Sequence, residues 1–249
     1  MSSTDWNPRS HVRQPSADRW AAVSGLTAIN SRLVRVGLLA ALTVMSCGLE
    51  HIPVLYPPEA EFHGTSLTQA RFRATADHDQ LGFLGFELYY KFHPLGVGLE
   101  DLQNLDTISA LTTAGFHRVH SSVDTRDVVT KPLIPIDLVD RGTEFVVVVD
   151  FVDEPFVAID LPFYDEIPLR RGIYEAELAG LAQYYKSFRD VEDPGDVDLR
   201  DVRVELEGGG YARVTVVLYA LSYGKADLFN PIYSEPVFLG EVEMSLRTL

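Results

Sequence analysis

His117 and His120 lie three residues apart in the run HRVH, a spacing that on a helix would put two imidazoles on one face and let them ligate a metal. The run reads instead as a strand, where they point to opposite sides. Asp77, His78 and Asp79 offer cation-ligand types in a short polar stretch, which is expected to be a solvated turn. Residues 190–201 carry Asp190, Glu192, Asp193, Asp196, Asp198 and Asp201, and Asp193, Asp196 and Asp198 are the candidates for calcium coordination, although the stretch lacks the EF-hand order. Tyrosines recur as Tyr89, Tyr90, Tyr184, Tyr185, Tyr219 and Tyr223. Such side chains stack on sugars or anchor protein interfaces, and Tyr89, Tyr90, Tyr219 and Tyr223 are the binding candidates, one of each neighbouring pair being expected in the core. No G-x-S-x-G, H-E-x-x-H, Walker loop or Rossmann glycine pattern occurs, so no catalytic residue and no cofactor is expected.

Composition narrows the classes further. With 46% hydrophobic residues, the 249-residue chain can bury one large core or two modest ones. Its charge is unevenly placed. Residues 1–46 hold Arg9, Arg13, Arg19, Arg32 and Arg35 against Asp5 and Asp18, leaving 16 basic and 34 acidic residues, or −18, beyond position 46. A body this acidic repels phosphate backbones, so nucleic acid is not expected as a partner. The single cysteine excludes an internal disulfide and a Cys-rich zinc site.

That cysteine has a distinctive setting. VGLLAALTVMS (36–46) is an apolar run of 11 residues, too short for a transmembrane helix of about 20 but of the length found in a signal peptide. Arg32 and Arg35 precede it as a positive flank, and Val44-Met45-Ser46-Cys47 closes it. This ending resembles the lipobox of bacterial lipoproteins, with Val44 as the aliphatic residue and Ser46 as the small one. The resemblance implies cleavage between Ser46 and Cys47, acylation of the Cys47 thiol and a mature chain starting at Cys47. Its partner is then the membrane, held through the acyl chains, and its location is extracytoplasmic, with Gly48 in place of an inner-membrane retention Asp. Residues 1–31 precede the expected signal, and a start at Val23 would give a signal of 24 residues.

Beyond a Pro-rich tether (47–60), the pattern is mainly β. ARFRATA (70–76) and FLGFELYYKFH (83–93) read as strands joined by a polar loop, GFHRVHSS as a strand, and TEFVVVVDFVDEPFVAIDLP (143–162) as a hairpin. VRVELEGGGYARVTVVLYALS (202–222) reads as a second hairpin turning at Gly208 to Gly210. Leu99, Leu102, Leu105, Ile108 and Leu111 form an apolar stripe that predicts a helix ending at Gly115, and 173–188 has a helical look but, given Gly180, reads equally as a loop with one or two turns.

LGFELYYKF, VTVVLYALSYG and YSEPVFLGEVEM resemble the third and last two strands of fibronectin type III domains. The resemblance implies a fibronectin type III or immunoglobulin-like β-sandwich over 61–249, with an α/β insertion at about 97–200. Lipobox, LGFELYYKF, AGFHRV and YSEPVFL together resemble uncharacterised lipoproteins of spirochaete type, a likeness that brings no activity with it.

The expectation is a lipid-anchored module that binds a protein or glycan at the cell envelope without catalysis. Two other classes are open: an extracytoplasmic carbohydrate hydrolase, which requires two converging carboxylates, and a surface protein assembling through a β-edge.

Overall fold

The computed structural model describes residues 54–61, 68–121, 131–174, 183–207, 210–226 and 230–249, within a compact unit spanning Ile52–Leu249. The signal segment with Ser46 and Cys47 lies outside the described residues. The strands are β1 (Glu59–Ala60), β2 (Gln69–Ala74), β3 (Phe83–Pro94), β4 (His117–Ser121), β5 (Ile134–Pro135), β6 (Phe145–Asp150), β7 (Phe156–Ile159), β8 (Ile167–Tyr174), β9 (Gln183–Lys186), β10 (Asp190–Val191), β11 (Tyr211–Lys225), β12 (Pro231–Tyr233) and β13 (Val237–Thr248). Among the described residues, two short helices, α1 (Ile108–Thr113) and α2 (Arg203–Glu207), and three 3₁₀ turns accompany them. The chain is mainly β, as its pattern predicts.

The strands hydrogen-bond in the order β1-β2-β6-β7-β8-β4-β3-β11-β13-β10, with β5, β9 and β12 added on β3, β8 and β11. The sheet curls until β13 packs against β1 and β2. Phe72, Phe86, Tyr90, Phe92, Phe145, Phe151 and Phe188 fill its interior, and ring pairs such as Tyr90–Phe188 (4.8 Å) and Phe72–Phe86 (5.1 Å) meet edge to face. β2 and β3 are consecutive but do not pair: β2 joins β6, while β3 joins β11.

β3 and β11 explain their nearly unbroken apolar sequences by being covered on both faces. Phe86, Leu88, Tyr90, Val216 and Leu218 face the main core. Tyr89, Val217, Tyr219 and Leu221 face a second one, closed by Leu99, Leu111 and Phe116 with Leu102, Leu105 and Ile108 alongside. The apolar stripe at 99–111 is thus used as predicted, but as a 3₁₀ turn at Glu100–Leu102 and the short α1 rather than one helix. Thr107 caps α1 by accepting from the Ala110 amide at 3.1 Å, and Gly115 ends the turn at φ +85°.

Two expectations fail. The first arm of the predicted 202–222 hairpin is α2, entered from a 3₁₀ turn (Val197–Val202), because Leu199, Val202 and Leu206 recur at helical spacing and bury one face in the core. The described ends of the stretch 173–188, read as helix or loop, are strand instead: β8 runs to Tyr174, and Gln183–Lys186 pair with it as β9, while 175–182 lie outside the described residues.

Candidate functional site

β4 lies between β3 and β8 and sorts its polar side chains to two sides. His117 lines a cleft of about 250 Å³ with Lys91, Thr112, Asp198, Arg200 and Asp201. Arg118 and His120 line a larger one of about 390 Å³, walled by Pro132, Leu133, Pro135 and Ile167. The two histidines are therefore not brought together.

Arg118 turns back onto Glu87 of β3. Its Nε donates to Glu87 Oε2 at 2.6 Å, and its Nη2 pairs with the other oxygen. The Glu87 side chain is fully buried, and burial pushes its carboxyl up against the opposing pull of Arg118. Burial also acts against the Arg118 charge, but Glu87 outweighs it and holds the guanidinium above its usual range. His120 is lowered to about 4, first by burial and then by the Arg118 charge. A neutral imidazole of that basicity takes up protons poorly near pH 7. It offers the larger cleft a hydrogen-bonding group rather than a cation, with Lys131, Asp165, Glu166 and Tyr185 as the other polar lining.

Behind the smaller cleft lies a buried ionic network. Arg171 on β8 is wholly inaccessible. Its Nη1 lies 3.0 Å from both Asp198 oxygens, its Nη2 3.4 Å from Asp196, and its Nε donates to the Ser187 carbonyl at 2.7 Å. The Tyr90 hydroxyl donates to Asp198 at 2.7 Å, and Lys186 pairs with Asp196 at 2.8 Å. Two of the three calcium candidates are thus turned inward onto cations, and Asp193 accepts from the Gly195 amide at 2.7 Å in its own turn. Among the described residues no group of three or more His, Cys, Asp or Glu side chains could hold a metal ion.

A Ser–His contact that sequence reading missed sits at the other end of β11. His78 Nε2 lies 3.2 Å from Ser222 Oγ, 144 residues away in sequence. Ser222 donates to the Tyr56 carbonyl at 2.6 Å, and His78 Nδ1 accepts from the Thr75 amide at 3.0 Å. These partners assign the imidazole proton to Nε2, so His78 donates to Ser222 instead of accepting from it. That arrangement is the reverse of an activated nucleophile. Burial lowers the His78 pKa, and the residue belongs to the core rather than to a solvated turn.

The tyrosine candidates are likewise internal. Tyr89, Tyr90, Tyr219 and Tyr223 are all buried, so none offers a face to solvent. Tyr219 donates to the Leu102 carbonyl at 2.6 Å and accepts from the Leu105 amide at 3.2 Å, which pins the loop before α1. Tyr223 packs on Tyr233 with centroids 5.3 Å apart. Both faces of β3 are covered, so both Tyr89 and Tyr90 are interior.

Among the described residues no helix is long and apolar enough to cross a membrane. No protein family model matches the chain, and no curated protein or solved structure matches it.

Proposed function

We propose that this chain is a lipid-anchored, extracytoplasmic lipoprotein whose β body serves as a non-enzymatic binding module at the cell envelope. The observation that carries the reading is the order along the chain: basic flank, apolar run of 11 residues, Ser46-Cys47, and then a folded unit beginning at Ile52. An acyl anchor needs a short tether between the modified residue and the fold, and this sequence supplies one. With about 0.8 kcal/mol per buried methylene, two or three acyl chains make attachment effectively permanent.

The strand order supports a fibronectin type III or immunoglobulin-like body as part of the same proposal. In this reading β1-β2-β6 would be one layer and β4-β3-β11-β13 the other, with β3, β11 and β13 taken as the C, F and G strands, the two joined in one curled sheet through β7 and β8. The additional elements are then chiefly β7 to β10, between β6 and β11. The 390 Å³ cleft beside β4 is the natural ligand place, being apolar-walled with a few convergent polar groups.

The test is the intact mass of the chain expressed in a lipoprotein-processing bacterium, beside Cys47→Ala. A product starting at Cys47 with added acyl mass, absent from the variant, is expected. An uncut and unmodified chain would overturn the reading.

A further inference from the structure

Three loops at one end of the sheet are tied together. The Tyr164 hydroxyl accepts from the Asp137 amide at 2.9 Å and donates to Asp140 at 2.8 Å, which joins the loop after β7 to the loop after β5. Gly142 approaches the 3₁₀ turn before β3 so closely that a Cβ there would lie 2.8 Å from the Asp79 Cβ. The chain leading into β1 joins the same end: the Tyr56 amide donates to Gln80 at 3.2 Å, and the Tyr56 carbonyl accepts from Ser222.

This end carries the five most exposed large hydrophobic side chains among the described residues: Phe163, Leu81, Val139, Val54 and Leu138. Phe163 is fully exposed and sits at φ +72°, the only non-glycine residue at positive φ among those described. A bulky side chain in that region is strained, and strain of this kind persists where the surrounding structure imposes it. Here Tyr164, clamped next door, imposes it, and the outcome is an aromatic ring held in water. A folded body gains nothing from that unless something covers the ring.

Chain length identifies the cover. Val54 is seven steps along the chain from Cys47, so the modified thiol lies within about 25 Å of this end even if the tether is fully extended. Resting on the anchor reading above, we infer that Phe163, Leu81, Leu138 and Val139 form an apolar tip that dips into the lipid bilayer beside the acyl anchor and fixes the orientation of the body on it. The surrounding charges set the lipid class. Asp77, Asp79, Asp137, Asp140 and Asp165 outnumber Arg141 around the tip, so the fitting surface is zwitterionic lipid, and anionic headgroups oppose insertion. Tyr56, half exposed beside Val54, suits the headgroup level.

The test uses a property of the sequence: the chain's two tryptophans, Trp6 and Trp20, both precede Cys47, so a tryptophan introduced in the body is the sole one in the processed protein. Phe163→Trp and, as a control at the opposite end of β11, Tyr211→Trp are expressed as the full chain, checked by intact mass and reconstituted into phosphatidylcholine vesicles with or without brominated acyl chains. Insertion to about 5–10 Å predicts at least about threefold stronger bromolipid quenching for Phe163→Trp than for Tyr211→Trp, and weaker quenching when anionic lipid is added. Val139→Trp repeats the measurement if the first variant does not fold. An acylated protein whose Phe163→Trp and Val139→Trp indoles are quenched no more than the control overturns the tip and leaves the anchor standing. A chain without acyl mass overturns both. Shielding that rises with protein concentration and ignores bromolipid assigns the tip to a second copy, and also overturns the inference.

Discussion

Arg171 and Asp198 are 27 residues apart in sequence and meet in the interior with one guanidinium nitrogen 3.0 Å from both carboxylate oxygens. Their side chains are wholly inaccessible, and Tyr90, Asp196 and the Ser187 carbonyl complete the hydrogen bonds around them. The pair fastens β8 to the turn after β10 and to β3. Its chemistry is that of a strut, since every strong donor and acceptor in it is already directed at another.

Removing one partner should therefore be worse than removing both. Asp198→Ala leaves the Arg171 charge buried and is expected to cost about 3–5 kcal/mol in urea unfolding, whereas Arg171→Met with Asp198→Leu should regain much of that. A double-mutant cycle showing no coupling between the two sites would contradict the strut.

Acid should weaken the fold through its histidines. The pKa of His120 is lowered to about 4, and those of His78 and His117 are also lowered, in each case first by burial. Each binds its proton less readily when folded than unfolded. The stability they contribute is complete above about 6.5, the unfolded value, and is lost as pH falls toward the folded one. Glu87, raised by burial, acts in the opposite sense and favours the folded state at low pH. Unfolding free energy of the wild type should thus fall from pH 6.5 to 4, and His120→Asn should flatten that slope by an amount on the order of 3 kcal/mol across the window. An unchanged slope would refute the assignment.

Tyr219→Phe deletes the donor to Leu102 and leaves the Leu105 amide without its acceptor. The expected cost is about 1–2 kcal/mol, with faster hydrogen exchange at Leu105 and in α1 but not in β13.

Two glycines separate close approach from backbone freedom. At Gly85, φ +150°, a Cβ would lie 2.0 Å from the Ile134 carbonyl oxygen, where β5 joins β3. At Gly96, φ +77°, nothing lies within 4 Å. Gly96→Ala should cost about 1–2 kcal/mol from φ alone, and Gly85→Ala clearly more, measured side by side by thermal melting.

The sequence by itself determined the mainly β class, the strands at 69–74, 83–94, 117–121 and 145–159, and the separation of His117 from His120. Each of these follows from local signals, partial alternation at 70–76 and apolar or aromatic runs of strand length at 83–93 and 143–162. It also marked the apolar stripe at 99–111, though not that it would be used in two short pieces. Only tertiary structure decided what the polar residues do. The acids at 196 and 198 read as solvent-facing until β8 supplies Arg171, and His78 reads as part of a turn until β11 supplies Ser222. The adjacent tyrosines read as half exposed until a second core covers the other face of β3 and β11. Arg171 lies 25 and 27 residues from Asp196 and Asp198, and Ser222 lies 144 residues from His78. Burial then reverses what an isolated segment's polarity suggests, because a charge or hydroxyl out of water must take its hydrogen bonds from whatever the fold brings to it.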